Sequence, residues 1–360
     1  MLLPSMLLAL IACTDDTTTD STITDSATTD LGCAADGGCL IAQDLSAGLL
    51  SVRAVAADDV WIVGASPATD DGTGPVVLHY DGTAFERLDT SAWAGGELWW
   101  VWVTADEAVF VGHEGLILEL DRATGDIAQV ADVDTGITFF GVWGATGDDL
   151  WAVGQSDGGQ GPAALWRRTA GTWDTFEDPD LGPGDDRQIF YKVHGVAADD
   201  LWIVGTNGRA MHWDGDGFTV VATDAETNTA TAPLLTVDVA GENPVAVGGQ
   251  GNGLILEYDG TDWLDKSPDF EAGYNGVCSG AGASWAVGIR GQRARREADG
   301  SWTSDRERGV DSWISRDWHG CTVDPDGGVW TVGGRIAARP LKEGAIGYEG
   351  TAELPAVSLD

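Results

Sequence analysis

Lysine is nearly absent from this sequence: three lysines stand beside 16 arginines, and the 19 basic residues face 58 acidic ones for a formal charge of −39. A surface of that sign repels phosphate backbones and anionic headgroups, which excludes nucleic acid and bare anionic lipid as generic partners. The acidity reads as a solubility device, with calcium binding as the alternative. Histidine is also scarce. His79, His113, His194, His212 and His319 are scattered, with no HExxH pair, no metal-ligand spacing and no glycine-rich phosphate loop opening a helix. Neither a metal site nor a cofactor is expected. Long periodic apolar runs are missing as well, because Gly, Asp or Pro breaks them after a turn or two, and this disfavours helical and α/β folds.

Glycine is abundant, 51 residues, and so is tryptophan, 17, in a chain of 360 that is 43% hydrophobic. That combination suits a large all-β domain with many turns.

The opening MLLPSMLLALIAC is apolar but short of the roughly 20 residues a membrane-spanning helix needs. A cleaved export signal over residues 1–12 fits better, although no Lys or Arg precedes the apolar run. Leu10-Ile11-Ala12-Cys13 resembles the lipobox of bacterial lipoproteins. The resemblance implies lipidation at Cys13 and attachment to the bacterial cell envelope, and Thr14 is compatible with the outer membrane. Residues 13–37 form a Thr/Ser/Asp-rich tract with little to bury, read as a disordered tether.

One phrase then occurs seven times, at Trp61–Gly64, Val109–Gly112, Trp151–Gly154, Trp202–Gly205, Val245–Gly248, Trp285–Gly288 and Trp330–Gly333. Its glycines are 48, 42, 51, 43, 40 and 45 residues apart. An all-β period of this size predicts propeller blades, four-stranded sheets that hide their faces only against their neighbours. The expected fold is a seven-bladed β-propeller over residues 38–351, with blades at about 48–96, 97–136, 137–187, 188–233, 234–272, 273–312 and 313–351, followed by a tail, 352–360. Within each unit the phrase reads as the second strand, B. The Asp pairs before it (Asp58-Asp59, Asp148-Asp149, Asp199-Asp200) read as turn chemistry.

A second motif, Asp-Gly followed by an aromatic, recurs at Asp81–Phe85, Asp214–Phe218, Asp259–Trp263 and Asp299–Trp302, between strands C and D. Together the two motifs resemble Asp-box (BNR-type) propellers and are similar to the photosystem II stability and assembly factor family, although the leading Ser of the box is absent here. The resemblance covers residues 48 to about 350 and implies the fold; one superfold hosts enzymes, receptors and scaffolds alike, so it leaves function open.

If Cys13 is lipidated, four cysteines remain for an oxidising compartment. Cys33 is expected to pair with Cys39. Cys278 and Cys321 fall on the first strands of blades six and seven, where a disulfide would staple the two; buried free thiols are the alternative. The outer strand of the last blade is open between residues 39–45 and 344–351.

In propellers the approaches to strand A and the B–C loops share one face, around the channel mouth. Here the approaches carry Trp99, Trp100, Phe139, Phe140, Phe190, Tyr191, Tyr274 and Trp313, suited to stacking on sugar or gripping a peptide, or to filling the wedges between blades. Nine arginines cluster late: Arg290, Arg293, Arg295, Arg296, Arg306, Arg308, Arg316, Arg335 and Arg339. Arg290 and Arg335 follow strand B on the same face and are candidates for an anionic group; pairing with the surplus carboxylates is the other reading. For catalysis only His194, His319, Asp317 and Arg316 offer a weak cluster. The expectation is a monomeric, non-catalytic binding module for a glycan or protein, touching the membrane only through its lipid. An Asp-box type carbohydrate-active hydrolase or lyase and an envelope-complex assembly factor are the alternatives.

Overall fold

The computed structural model describes residues 33, 38–68, 72–177, 188–223, 232–249, 251–269, 271–309, 314, 316–337 and 339–359. Strands account for nearly all the regular structure. Blade 1 contains β2 (Leu49–Ala56), β3 (Asp59–Gly64), β4 (Val77–Tyr80) and β5 (Phe85–Arg87), preceded in the chain by β1 (Gly38–Leu45). Blade 2 has β6 (Leu98–Val103), β7 (Glu107–Gly112), β8 (Ile117–Asp121) and β9 (Ile127–Gln129). Blade 3 has β10 (Thr138–Thr146), β11 (Asp149–Gln155), β12 (Ala163–Thr169) and β13 (Thr172–Thr175). Blade 4 has β14 (Phe190–Ala197), β15 (Asp200–Gly205), β16 (Ala210–Trp213) and β17 (Phe218–Val221). Blade 5 has β18 (Leu234–Asp238), β19 (Val245–Gly248), β20 (Leu254–Tyr258) and β21 (Trp263–Asp265). Blade 6 has β22 (Tyr274–Gly280), β23 (Ala283–Gly288), β24 (Arg293–Arg296) and β25 (Trp302–Ser304). Blade 7 has β26 (Asp317–Val323), β27 (Val329–Arg335) and β28 (Lys342–Glu349).

Each sheet has four antiparallel strands in sequence order except the last, which runs β1-β28-β27-β26. Both candidate closing segments are therefore in blade 7: residues 342–349 form its third strand and Gly38–Leu45 its fourth. The N-terminal strand closes the ring, so neither end of the sheet array is left as a bare edge. The first strands contact one another in the cycle β2, β6, β10, β14, β18, β22, β26 and back to β2.

The repeated phrase has a plain physical basis. Its Trp or Val and the residues after it are buried because a blade is covered on both faces; Trp61, Trp151, Trp202, Trp285 and Trp330 are all within 3% of complete burial. Its glycine is obligatory for another reason. Every first strand bulges opposite it, and a Cβ would lie 2.3 Å from Gly48 O at Gly64, 1.9 Å from Glu97 O at Gly112 and 2.1 Å from Asp317 O at Gly333.

The Asp pairs do more than turn the chain. Asp59 accepts from Trp61 Nε1, His79 Nε2 and Arg122 Nη2, all at 2.8 Å, while His79 stacks on Trp61 with centroids 4.2 Å apart. His212 pairs likewise with Asp200 beside Trp202, and Arg167 with Asp149 beside Trp151. His79 and His212 thus brace the core. The C–D turns use their aspartates as expected: Asp81 Oδ1 accepts the N–H groups of Thr83 and Ala84 at 2.8 Å, and Asp214 and Asp259 repeat the arrangement. These backbone bonds hold all three carboxyls below the usual range.

Both disulfides are formed, Cys33–Cys39 and Cys278–Cys321, the latter joining the first strands of blades 6 and 7. Residues 352–359, expected as a tail, pack on the seam between blades 7 and 1. Leu359 is buried there with Leu78, Tyr80 and Trp330, and its carbonyl accepts from Arg87. No helix among the described residues is long and apolar enough to cross a membrane.

Candidate functional site

Because each first strand is registered against the glycine of its second strand, homologous positions form rings around the channel. The bulged position contributes Leu50, Trp99, Phe140, Tyr191, Leu235, Asn275 and His319 to the ring nearest the strand A approaches. The next position contributes Trp100 and Lys192, with small residues elsewhere. Two residues deeper, paired with the first residue of each repeated phrase, come Arg53, Trp102, Trp143, His194, Asp238, Cys278 and Thr322.

At the mouth, Trp99, Trp100, Phe140 and Tyr191 converge, each half-buried. Trp99 meets Phe140 edge-on at 5.0 Å and His319 at 5.7 Å, and Phe140 meets Tyr191 at 5.6 Å. Trp99 also packs with Leu50, Leu341 and Ile336, the latter two from the B–C loop of blade 7; the Trp99 indole N–H is buried with no partner among the described residues. Beneath lies Lys192, which donates to Phe140 O at 2.7 Å and stands 3.2 Å from the Trp100 ring centroid. Burial pushes its amine well below the ordinary lysine value. His319 Nδ1 faces Leu50 O at 2.5 Å; the carbonyl can only accept, which places the ring hydrogen on Nδ1. Burial first, and Lys192 second, push His319 down to about 4.

The other expected site residues do not join this group. Tyr274 is fully buried in the core between blades 5 and 6, since it precedes the bulge and points into the wedge rather than the mouth. Trp313 and Cys13 lie outside the described residues. Arg290 is exposed on the B–C loop of blade 6, where its backbone N–H donates to Asp317 Oδ1 at 2.9 Å. Arg335 is exposed and pairs with Glu343 at 3.3 Å.

The late arginine cluster is consumed largely by carboxylates: Arg293 by Asp305 and Glu349, Arg295 by Glu297, Arg296 by Glu257 and Glu242, Arg308 by Asp305, and Arg339 by Glu97. Nor do the four catalytic candidates assemble into one constellation. Arg316 turns to Glu343 and Asp44, Asp317 is engaged by the Arg290 backbone, His319 faces Leu50 in the upper ring, and His194 sits in the lower one. Among the described residues no three His, Cys, Asp or Glu side chains gather as a metal site.

Two channel residues escaped the sequence reading, Lys192 and Arg53. Their only signal was a long basic side chain on a first strand, which becomes meaningful once the strands are seen to surround a channel.

Seven radial four-stranded sheets, ring closure by the N-terminal strand and an aromatic channel mouth define the class: a seven-bladed β-propeller. No protein-family model matches the chain, and no curated protein matches it in sequence. Its fold is similar to YCF48 bound to D1 peptide, at 14% identity over 88% of this chain and 97% of that one, TM-score 0.60. YCF48 from Cyanidioschyzon merolae matches at 12% identity over 87% and 98%, TM-score 0.60. The extracellular domain of BT4673 from B. thetaiotaomicron matches at 11% identity with the same TM-score; this chain spans 39% of its length.

Proposed function

We propose that this chain is an envelope-located, non-catalytic propeller, lipid-anchored through Cys13, that holds a peptide segment of a protein partner at its aromatic channel mouth. The observation that carries the reading is the convergence of Trp99, Trp100, Phe140 and Tyr191, four half-buried rings from three blades, over a buried lysine. Rigid rings with part of their surface in water supply contact area at little entropic cost. That YCF48 has been captured with a D1 peptide supports a peptide as occupant and leaves an assembly role open. Two disulfides suit an oxidising compartment outside the cytoplasm, where a lipid leash of residues 13–37 would present the propeller, in the outer membrane by the lipobox reading. The same rings would also stack on a sugar face, so a glycan is the second reading.

The test is a peptide array and a glycan array probed with the monomeric domain, followed by titration of the best ligand. Trp99→Ala with Tyr191→Ala is expected to weaken binding by at least roughly tenfold. Unchanged affinity in that variant would remove the mouth from the account.

A further inference from the structure

Below the aromatic mouth a cavity of about 180 Å³ continues toward the A–B turns, and it is lined by an arginine that makes no hydrogen bond to any described residue. Arg53 extends from β2 into this space. Its side chain is exposed to the water of the channel and lines the cavity wall; desolvation by the surrounding protein lowers its pKa, which the charge of Asp238 partly offsets. No described residue accepts a hydrogen bond from its guanidinium, in a protein whose acidic residues outnumber its basic ones 58 to 19.

The two carboxylates that line the cavity are each tied to backbone donors. Asp238 Oδ1 takes the Ala240 N–H at 2.7 Å and Oδ2 the Ser279 N–H at 3.2 Å, which ties the carboxylate to the turns. Asp324 is held by the N–H groups of Asp326 and Gly328 and by Trp330 Nε1. His194 adds a donor instead of an acceptor. Its Nδ1 accepts from Val239 N–H at 3.1 Å, so the neutral ring carries its hydrogen on Nε2, which has no partner among the described residues. Trp102, its indole N–H already given to Gly144 O, and Trp143 supply apolar wall at the same height. Two donors, the Arg53 guanidinium and His194 Nε2–H, thus face the cavity without a hydrogen-bond partner among the described residues.

We propose that this lower channel is a receptor site for a small free carboxylate, held by the fork of Arg53 and by His194 Nε2–H. A planar guanidinium matches a carboxylate in two parallel hydrogen bonds, and an enclosed, partly apolar wall strengthens them relative to water. The volume corresponds to about six waters at liquid density, room for an acetate-sized to amino-acid-sized anion and too little for a polymer. The anchoring groups lie in a different ring from Trp99, Phe140 and Tyr191; Trp100 and Lys192 alone line both the mouth and the upper end of this cavity.

Calorimetric titration of the intact, disulfide-bonded propeller with sodium acetate tests the proposal, with acetamide as the neutral isostere and sodium chloride as the ionic-strength control. The expected result is saturable one-to-one binding of acetate at millimolar concentration and none of acetamide. Arg53→Met should weaken acetate binding by roughly tenfold or more, and Arg53→Lys, which keeps charge without the fork, by less. Trp99→Ala should bind acetate as the wild type does, whatever happens to peptide binding. Equal heats from acetate and chloride, undiminished acetate affinity in Arg53→Met, or no binding by the wild type would each overturn the assignment. Should Arg53→Met fail to fold, Arg53→Lys together with the acetate and acetamide comparison still decides it.

Discussion

Lys192 Nζ rests 3.2 Å above the centre of the Trp100 ring and donates to Phe140 O, so one side chain of blade 4 bridges the first strands of blades 2 and 3 under the channel mouth. No carboxylate pairs with it among the described residues, and its positive charge helps keep His319 neutral in the adjoining ring. The mouth is therefore built around buried bases whose protonation the fold opposes.

His319 makes stability depend on acid. Its pKa falls from the ordinary 6.5 to about 4 on folding, so between those values the unfolded chain binds the extra proton. Stability should be complete above about pH 6.5, decline as pH falls toward about 4 and then level, a loss of about 2 kcal/mol or more from this group. Denaturant titrations at stepped pH check it. His319→Gln should flatten that window, and an unchanged slope would contradict the assignment.

The Cys278–Cys321 bond should matter more than Cys33–Cys39, because it closes a longer loop, with 43 residues of separation against 6. Chain-entropy arithmetic puts the first at about 4 kcal/mol and the second at about 2. Paired Cys→Ser replacements, compared by urea unfolding, should reproduce that order.

Asp59 is the hub of three hydrogen bonds. Burial alone would raise its carboxyl, but Arg122, His79 and Trp61 outweigh burial and hold it below the usual range. Its contribution is therefore present above the ordinary aspartate pKa and is lost as pH falls through the depressed value. Asp59→Ala removes the acceptor of the Trp61 indole and the carboxylate partner of Arg122, which keeps its bond to Thr104 O, and should cost about 2–3 kcal/mol, measured by thermal or denaturant unfolding.

Truncation after Glu353 removes Leu359 from the seam of blades 7 and 1 and frees Arg87 from its carbonyl. A loss of about 2 kcal/mol is expected from the buried leucine alone. Leu359→Ala should reproduce most of it, whereas Glu353→Ala, at an exposed position, should not.

Much of this architecture was legible before any coordinates. Strand B could be read because covering both faces of a blade forces an unbroken apolar run, as in Trp202–Gly205, and the glycine ending it because a carbonyl at the entry to strand A occupies the place of its Cβ. The C–D turns could be read because Asp81 needs only residues two and three positions away. Repeat register put Cys278 and Cys321 on the first strands of adjacent blades, and the structure decides for the disulfide over two buried thiols.

What the chain alone determined is thus what depends on neighbours along it: strand identity, turn chemistry, seven units and their register. Tertiary structure decided the rest, because it depends on contacts between distant residues. Which strand closes blade 7 rests on Cys39 meeting Tyr348, and the state of His319 on Leu50, 269 positions away. Arg316 is spent on Asp44 while Arg53 is left unmatched, since ring closure brings one beside a carboxylate and turns the other into an enclosed channel. Local periodicity specifies which face a residue takes; only the closed ring specifies what lies across from it.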